Sequence, residues 1–244
     1  MSTILYITFI GIITGVVGTL SGSIFVMLVK KIDEEILTLI LGMSAGIMTV
    51  VVFLDLIPEA LEMGTTSSTL GGMLFGILLI SLVDFIFPHE HSVTDQQSNY
   101  YKVGLLLAVG IALHNIPEGL AIGAGYSAAN SLGLGLAIII GIHNAPEGMA
   151  VATSLSLAGL KNTKIGLITI LAGIPMGVGT FIGSYLGNIS DFFLSLSLGF
   201  AAGAMLFITF DDLIPAAHKN NNGNMAVLGI LLGVFLGIFI TNQF

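Results

Sequence analysis

The chain has 244 residues, of which 55% are hydrophobic and only 8% charged, whereas an ordinary globular protein is about a quarter charged. Its mean hydropathy of +1.04 exceeds what a globular core absorbs, so the chain must face lipid and a soluble fold is excluded. Six lysines against 14 acids, a net charge of −8, leave no electrostatic footprint for nucleic acid, and the lack of cysteine excludes disulfides, thiolate metal sites and a cysteine nucleophile.

A helix needs about 20 apolar residues to cross the hydrocarbon layer. Cutting the chain where charge, Pro, Asn and Ser interrupt the apolar runs predicts eight spans, at 4–29, 36–61, 70–87, 101–126, 131–157, 163–186, 192–217 and 225–240. The first lysine is Lys30, so the first run lacks the basic start of a secretory signal, and it is too long for one. The expected fold is all-α, a polytopic bundle of eight transmembrane helices forming one domain over residues 1–244, rather than a barrel. Lys30, Lys31, Lys102, Lys161, Lys164 and Lys219 all fall in or beside odd-numbered loops. The tendency of basic loops to stay inside then predicts a cell (inner or plasma) membrane protein with both termini extracytoplasmic. The loop 88–100, with His89, Glu90 and His91, is expected in the cytoplasm. Gly18/Gly22, Gly72/Gly76, Gly179/Gly183/Gly187 and Gly229/Gly233/Gly237 carry the spacing of close helix packing.

Two repeats run through the chain. Leu41 to Ala60, LGMSAGIMTVVVFLDLIPEA, and Leu198 to Ala217, LGFAAGAMLFITFDDLIPAA, share 11 of 20 positions without a gap. Helix 2 therefore corresponds to helix 7. If helices 1–3 and 6–8 are related, the two helices between them put the units in opposite orientations, an inverted repeat of the kind secondary transporters use around a midplane site. The second repeat lies on those two middle helices: His114-Asn115-Ile116-Pro117-Glu118-Gly119 and His143-Asn144-Ala145-Pro146-Glu147-Gly148.

Histidine and glutamate four residues apart share one helix face, so His114 with Glu118 and His143 with Glu147 point together. All four sit midway along their spans, where ionisable groups cost at least about 2.5 kcal/mol each on insertion scales and mark function. Two imidazoles and two carboxylates are ligand chemistry for Zn²⁺, Fe²⁺, Co²⁺ or Mn²⁺, and two Glu anions with neutral imidazoles cancel a divalent charge. Without the ion the adjoining carboxylates would hold protons, so release is expected to be coupled to proton uptake. Pro117 and Pro146 each remove an N–H and are expected to kink both helices at the motif, and Asn115 and Asn144 are candidate oxygen ligands or orienters. Asp55 and Glu59 near the outer end of helix 2, and Asp212 and His218 near the inner end of helix 7, are candidates for an entrance and an exit. His89 and His91 in the third loop are candidates for receiving or sensing the ion.

On these residues the sequence resembles the ZIP (Zrt/Irt-like) family of divalent metal transporters, whose signature is a HNxPEG-type motif on the fourth helix and a related HxxPEG-type motif on the fifth. The resemblance covers essentially the whole chain. It implies transport of Zn²⁺, or of Fe²⁺, Mn²⁺, Co²⁺ or Cd²⁺, into the cytoplasm by alternating access, with the metal as substrate, no cofactor, and a homodimer in the lipid bilayer. It also implies a main site of His114, Glu118, His143 and Glu147. Many bacterial members add a second metal held by the Asn positions and by a Glu before a proline in the sixth helix. Ile174 stands where that Glu would, so a single tight ion per protomer is expected.

The rival from another class is an intramembrane zinc-dependent hydrolase. Four protein ligands would close the shell that a catalytic zinc leaves open, which argues against it. A cation channel is the third reading, and it would need no paired ligands.

Overall fold

The computed structural model describes residues 2–29, 34–86, 98–218 and 223–243, and among these all regular structure is helical. Eight helices follow the expected spans: α1 (Ser2–Val29), α2 (Thr38–Met63), α3 (Thr66–Ile86), α4 (Ser98–Ala128), α5 (Asn130–Leu157), α6 (Asn162–Gly187), α7 (Asp191–His218) and α8 (Gly223–Thr241). All but α3 are long and apolar enough throughout to cross a membrane, and α3 contributes the shorter apolar stretch Thr66–Leu82. The protein is a multi-pass helical bundle. The loop residues His89, Glu90 and His91, and the lysines Lys30, Lys31 and Lys219, lie outside the described residues.

Apolar side chains gain nothing by leaving lipid for a neighbouring helix, so membrane helices associate through close backbone approach at small residues. Glycine does this work throughout. Gly22 of α1 lies against the Ala145 backbone of α5, and Gly148 of α5 lies against the Thr19 backbone of α1. The same reciprocal pair joins α6 to α4, where Gly179 meets Ile116 and Gly119 meets Met176. Helices α2 and α8 dock through Gly42, Gly46, Gly229 and Gly233, which meet Ala226, Ile230, Leu39 and Met43. Helices α3 and α7 dock through the counterparts Gly199, Gly203, Gly72 and Gly76, which meet Thr69, Met73, Leu196 and Phe200.

Every one of these contacts maps onto its twin by one constant displacement along the chain between helices 1–3 and 6–8, while Ala145 and Ile116 hold the same place in the doubled motif. The inverted repeat is thus present as packing, not only as sequence. It also sorts the bundle into two groups. Helices α1, α4, α5 and α6 form one, and the pairs α2/α8 and α3/α7 form the other, joined to the first mainly where α4 meets α7 and α2 meets α5.

Breaks and π-turns in the helices lie away from the doubled motif. Helices α4 and α5 run without interruption through Pro117 and Pro146. By contrast α6 breaks at Ile174 before Pro175, and α2 and α7 each contain a π-helical turn, Val51–Leu56 and Thr209–Leu213. Both turns precede a proline that cannot donate to the carbonyl four residues back. In both, the next N–H reaches one residue further, from Ile57 to the Val52 carbonyl and from Ile214 to the Thr209 carbonyl. The extra residue re-aims the side chains on the turn, Asp55 and Asp212 among them, as π-turns at functional sites commonly do.

A Cβ at Gly22 would run into backbone atoms of Ala145 and Met149, whereas one at Gly71 meets open space. Gly22→Ala is therefore expected to lower the Tm of the purified protein in detergent. Gly71→Ala should leave it unchanged or raise it, because alanine is the better helix former by about 1 kcal/mol. Equal shifts in differential scanning fluorimetry would contradict the packing.

Candidate metal centre

The doubled motif lies midway along α4 and α5, where the two helices pack together. His143 and Glu147 rise one turn apart on α5, and Glu118 reaches them from α4; all three are buried. His143 Nε2 is 3.1 Å from Glu118 Oε1 and 3.6 Å from Glu147 Oε1, and the three ligand atoms lie within 4.8 Å of one another. A tetrahedral ion with bonds of about 2.0–2.1 Å has ligands about 3.3 Å apart, and the two distances from His143 Nε2 bracket that spacing. Glu147 Oε2 is buried without a hydrogen-bond partner. An unpartnered carboxylate oxygen in a dry interior is costly, and a cation among these three side chains would satisfy it.

The trio is braced from behind. Ser44 of α2 hydrogen-bonds His143 Nδ1 and donates to the His143 backbone carbonyl at 3.2 Å. With Nδ1 on Ser44, the His143 ring is oriented so that Nε2 faces the two carboxylates. Asn115 Nδ2 donates to the Ala172 carbonyl of α6 at 2.8 Å. The Asn144 amide stands 2.9 Å from Asn115 Oδ1 and 3.1 Å from Glu118 Oε2, and a half-turn lets its nitrogen serve either. In the first orientation Asn144 is tied through Asn115 to α6; in the second it donates instead to Glu118 Oε2 and to the Ile140 carbonyl.

His114 stands apart from the expected foursome. It occupies the motif position equivalent to His143, yet its Nε2 lies 3.3 Å from Asp212 Oδ2 on the π-turn of α7. The geometry is therefore three converging donors and a fourth held aside, not the closed four-ligand shell expected from the motif alone. Ile174 is 40% exposed and faces out of the bundle. Asp55 and Glu59 line a cavity of about 200 Å³ together with Ser131, Leu132, Ile139 and Thr241, and Thr241 donates to Asp55 Oδ2 at 3.1 Å. His218 is exposed at the end of α7, its Nδ1 2.9 Å from the Ile214 carbonyl.

Two features escaped sequence reasoning. The π-turns had a legible trace in the shared Asp-Leu-Ile-Pro. Ser44 had a fainter one, as a serine where the repeat carries Ala201.

Comparison with known proteins places the chain among relatives. Residues 88–241 match the family model described as ZIP Zinc transporter. A protein named Zinc transporter ZupT from Chlorobium limicola is 37% identical, over 92% of this chain and 91% of that protein. The proteins of the same name from Streptococcus mutans and Clostridium perfringens are each 32% identical, over 97% of both chains in the first case and over 92% and 89% in the second.

Removing the partner that orients a ligating histidine typically costs 10–100-fold in metal affinity. Ser44→Ala is accordingly expected to raise the dissociation constant for Zn²⁺ by about 10–100-fold in titration calorimetry of the purified protein. An unchanged constant would show that Ser44 does not set His143.

Proposed function

The chain belongs to the ZIP zinc transporter family, and from that membership we propose how this divalent metal transporter handles its ion. Zn²⁺ is the principal cargo, with Fe²⁺, Mn²⁺, Co²⁺ and Cd²⁺ as further substrates, because a nitrogen and oxygen site without thiolate does not sort these ions sharply. The ion rests between Glu118, His143 and Glu147, and His114 completes the shell when it leaves Asp212. The observation that carries this reading is the convergence of the three buried ligand atoms beside the unpartnered Glu147 Oε2.

Transport runs into the cytoplasm by alternating access. The grouping of helices supports this, because packing inside each group obeys the inverted repeat while contacts between the groups do not: His143 meets Ser44 on α2, whereas its twin His114 meets Asp212 on α7. Ser44 and Asp212 both belong to the lysine-bearing ends of their helices, so in our reading the site is engaged toward the cytoplasm. Asp55 and Glu59 line the entrance, Asp212 and His218 the exit, and the His89 to His91 loop receives the ion. We assign the protein to the cell membrane as a homodimer with both termini outside.

The family is one of transporters and not of enzymes, which sets aside the hydrolase even though the three converging donors leave the shell open. Uptake of Zn²⁺, Fe²⁺, Mn²⁺ and Cd²⁺ into proteoliposomes tests the reading. Saturable uptake that Glu118→Ala or His143→Ala abolishes is expected, with a single tight ion counted per protomer. Unaltered transport in both variants would remove these residues from the path.

A further inference from the structure

Resting on the alternating-access reading above, we propose that Asp55 takes hold of His143 in the opposite-facing state, as Asp212 holds His114 in this one. The inverted repeat relates α2 to α7 so that Asp55 answers to Asp212 and Ser44 to Ala201, and it relates α4 to α5 so that His114 answers to His143. Within each group of helices the contacts come in matched pairs. Across the groups the match fails: the pair His114–Asp212 is present, at 3.3 Å, and its twin His143–Asp55 is replaced by His143–Ser44. Two related halves whose polar contacts differ where the groups meet can take a second arrangement in which the halves exchange roles. In that arrangement His143 stands beside Asp55 and His114 beside Ala201.

The present surroundings of Asp55 agree with this. It sits on the π-turn of α2 that matches the π-turn bearing Asp212. It lines a cavity together with Gly135 and Ile139 of α5. His143 stands one helical turn beyond Ile139 along α5, so a slide of about 6 Å brings its ring to the cavity level. The Asp55 carboxylate is meanwhile held by the Thr241 hydroxyl at 3.1 Å, a bond weak enough to exchange for a charge-assisted one. Each motif histidine then alternates between the ion and a carboxylate on the opposite helix group. Asp55 and Asp212 are positioning residues that keep the withdrawn imidazole satisfied on either side of the cycle.

The chain has no cysteine, so pairs can be introduced directly. Asp55→Cys with His143→Cys, and Ala201→Cys with His114→Cys, report the opposite-facing state, and Ser44→Cys with His143→Cys reports the present one. After oxidation in membranes, protection from the mass shift of a polyethylene-glycol maleimide reads crosslinking. Protection in at least one of the first two pairs as well as in the third is expected. Protection confined to the Ser44 and His143 pair would overturn the inference, and either of the first two pairs serves if the other does not accumulate. Uptake by the wild type, measured alongside, tells the two possible failures apart: a wild type that transports while neither pair is protected sinks only this exchange, and a wild type that moves no metal sinks the reading beneath it.

Discussion

Everything in this bundle answers to the burial of two carboxylates midway through a low-dielectric layer. Glu118 and Glu147 are almost fully enclosed, and taking an acid to such a depth costs about 2.5–3.5 kcal/mol even on forgiving scales. The His143 imidazole and the Asn144 amide stand beside them, and a divalent charge among them would offset that cost. Remove that constraint and there is no reason for α4 and α5 to carry His, Asn and Glu in an otherwise apolar stretch, nor for Ser44 and Asp212 to reach in from other helices.

The site can be so closely drawn only because its scaffold is glycine-pitted. Glycines of α1 and α6 let those helices lie backbone to backbone against α5 and α4 right beside the motif. Side chains of any size there would push the two motifs apart and spread the carboxylates. The close glycine contacts described above lie within the two groups of helices, whereas Ser44 and Asp212 reach His143 and His114 from the other group. Apolar packing joins the groups as well, since one core cluster runs from Ile47 and Leu56 of α2 through Leu136 and Ile139 of α5 to Leu198 and Met205 of α7.

Most of the fold could be read from the sequence because its signals are long: eight apolar runs, glycines at helix-packing spacing, and a twenty-residue repeat containing Asp-Leu-Ile-Pro. The doubled motif announced the candidate site, since the i, i+4 spacing of His143 and Glu147 dictates their shared face. Two details could not be read. Helices α4 and α5 run unbroken through Pro117 and Pro146, while α2 and α7 take π-turns ahead of Pro58 and Pro215; a proline alone does not say which of these forms the backbone will take. The division of the histidines, one in the trio and one on Asp212, depends on how the helix groups stand relative to each other. A repeat that makes His114 and His143 equivalent on paper hides that asymmetry.

The central claim is that imidazole and carboxylate from the doubled motif hold the transported ion. X-ray absorption at the zinc edge of the loaded, purified protein tests it most directly. The account predicts a light-atom shell at about 2.0–2.1 Å with the multiple-scattering signature of imidazole, reduced when His143 is replaced by alanine. A purely oxygen shell without imidazole scattering, unaltered by that substitution, would contradict it.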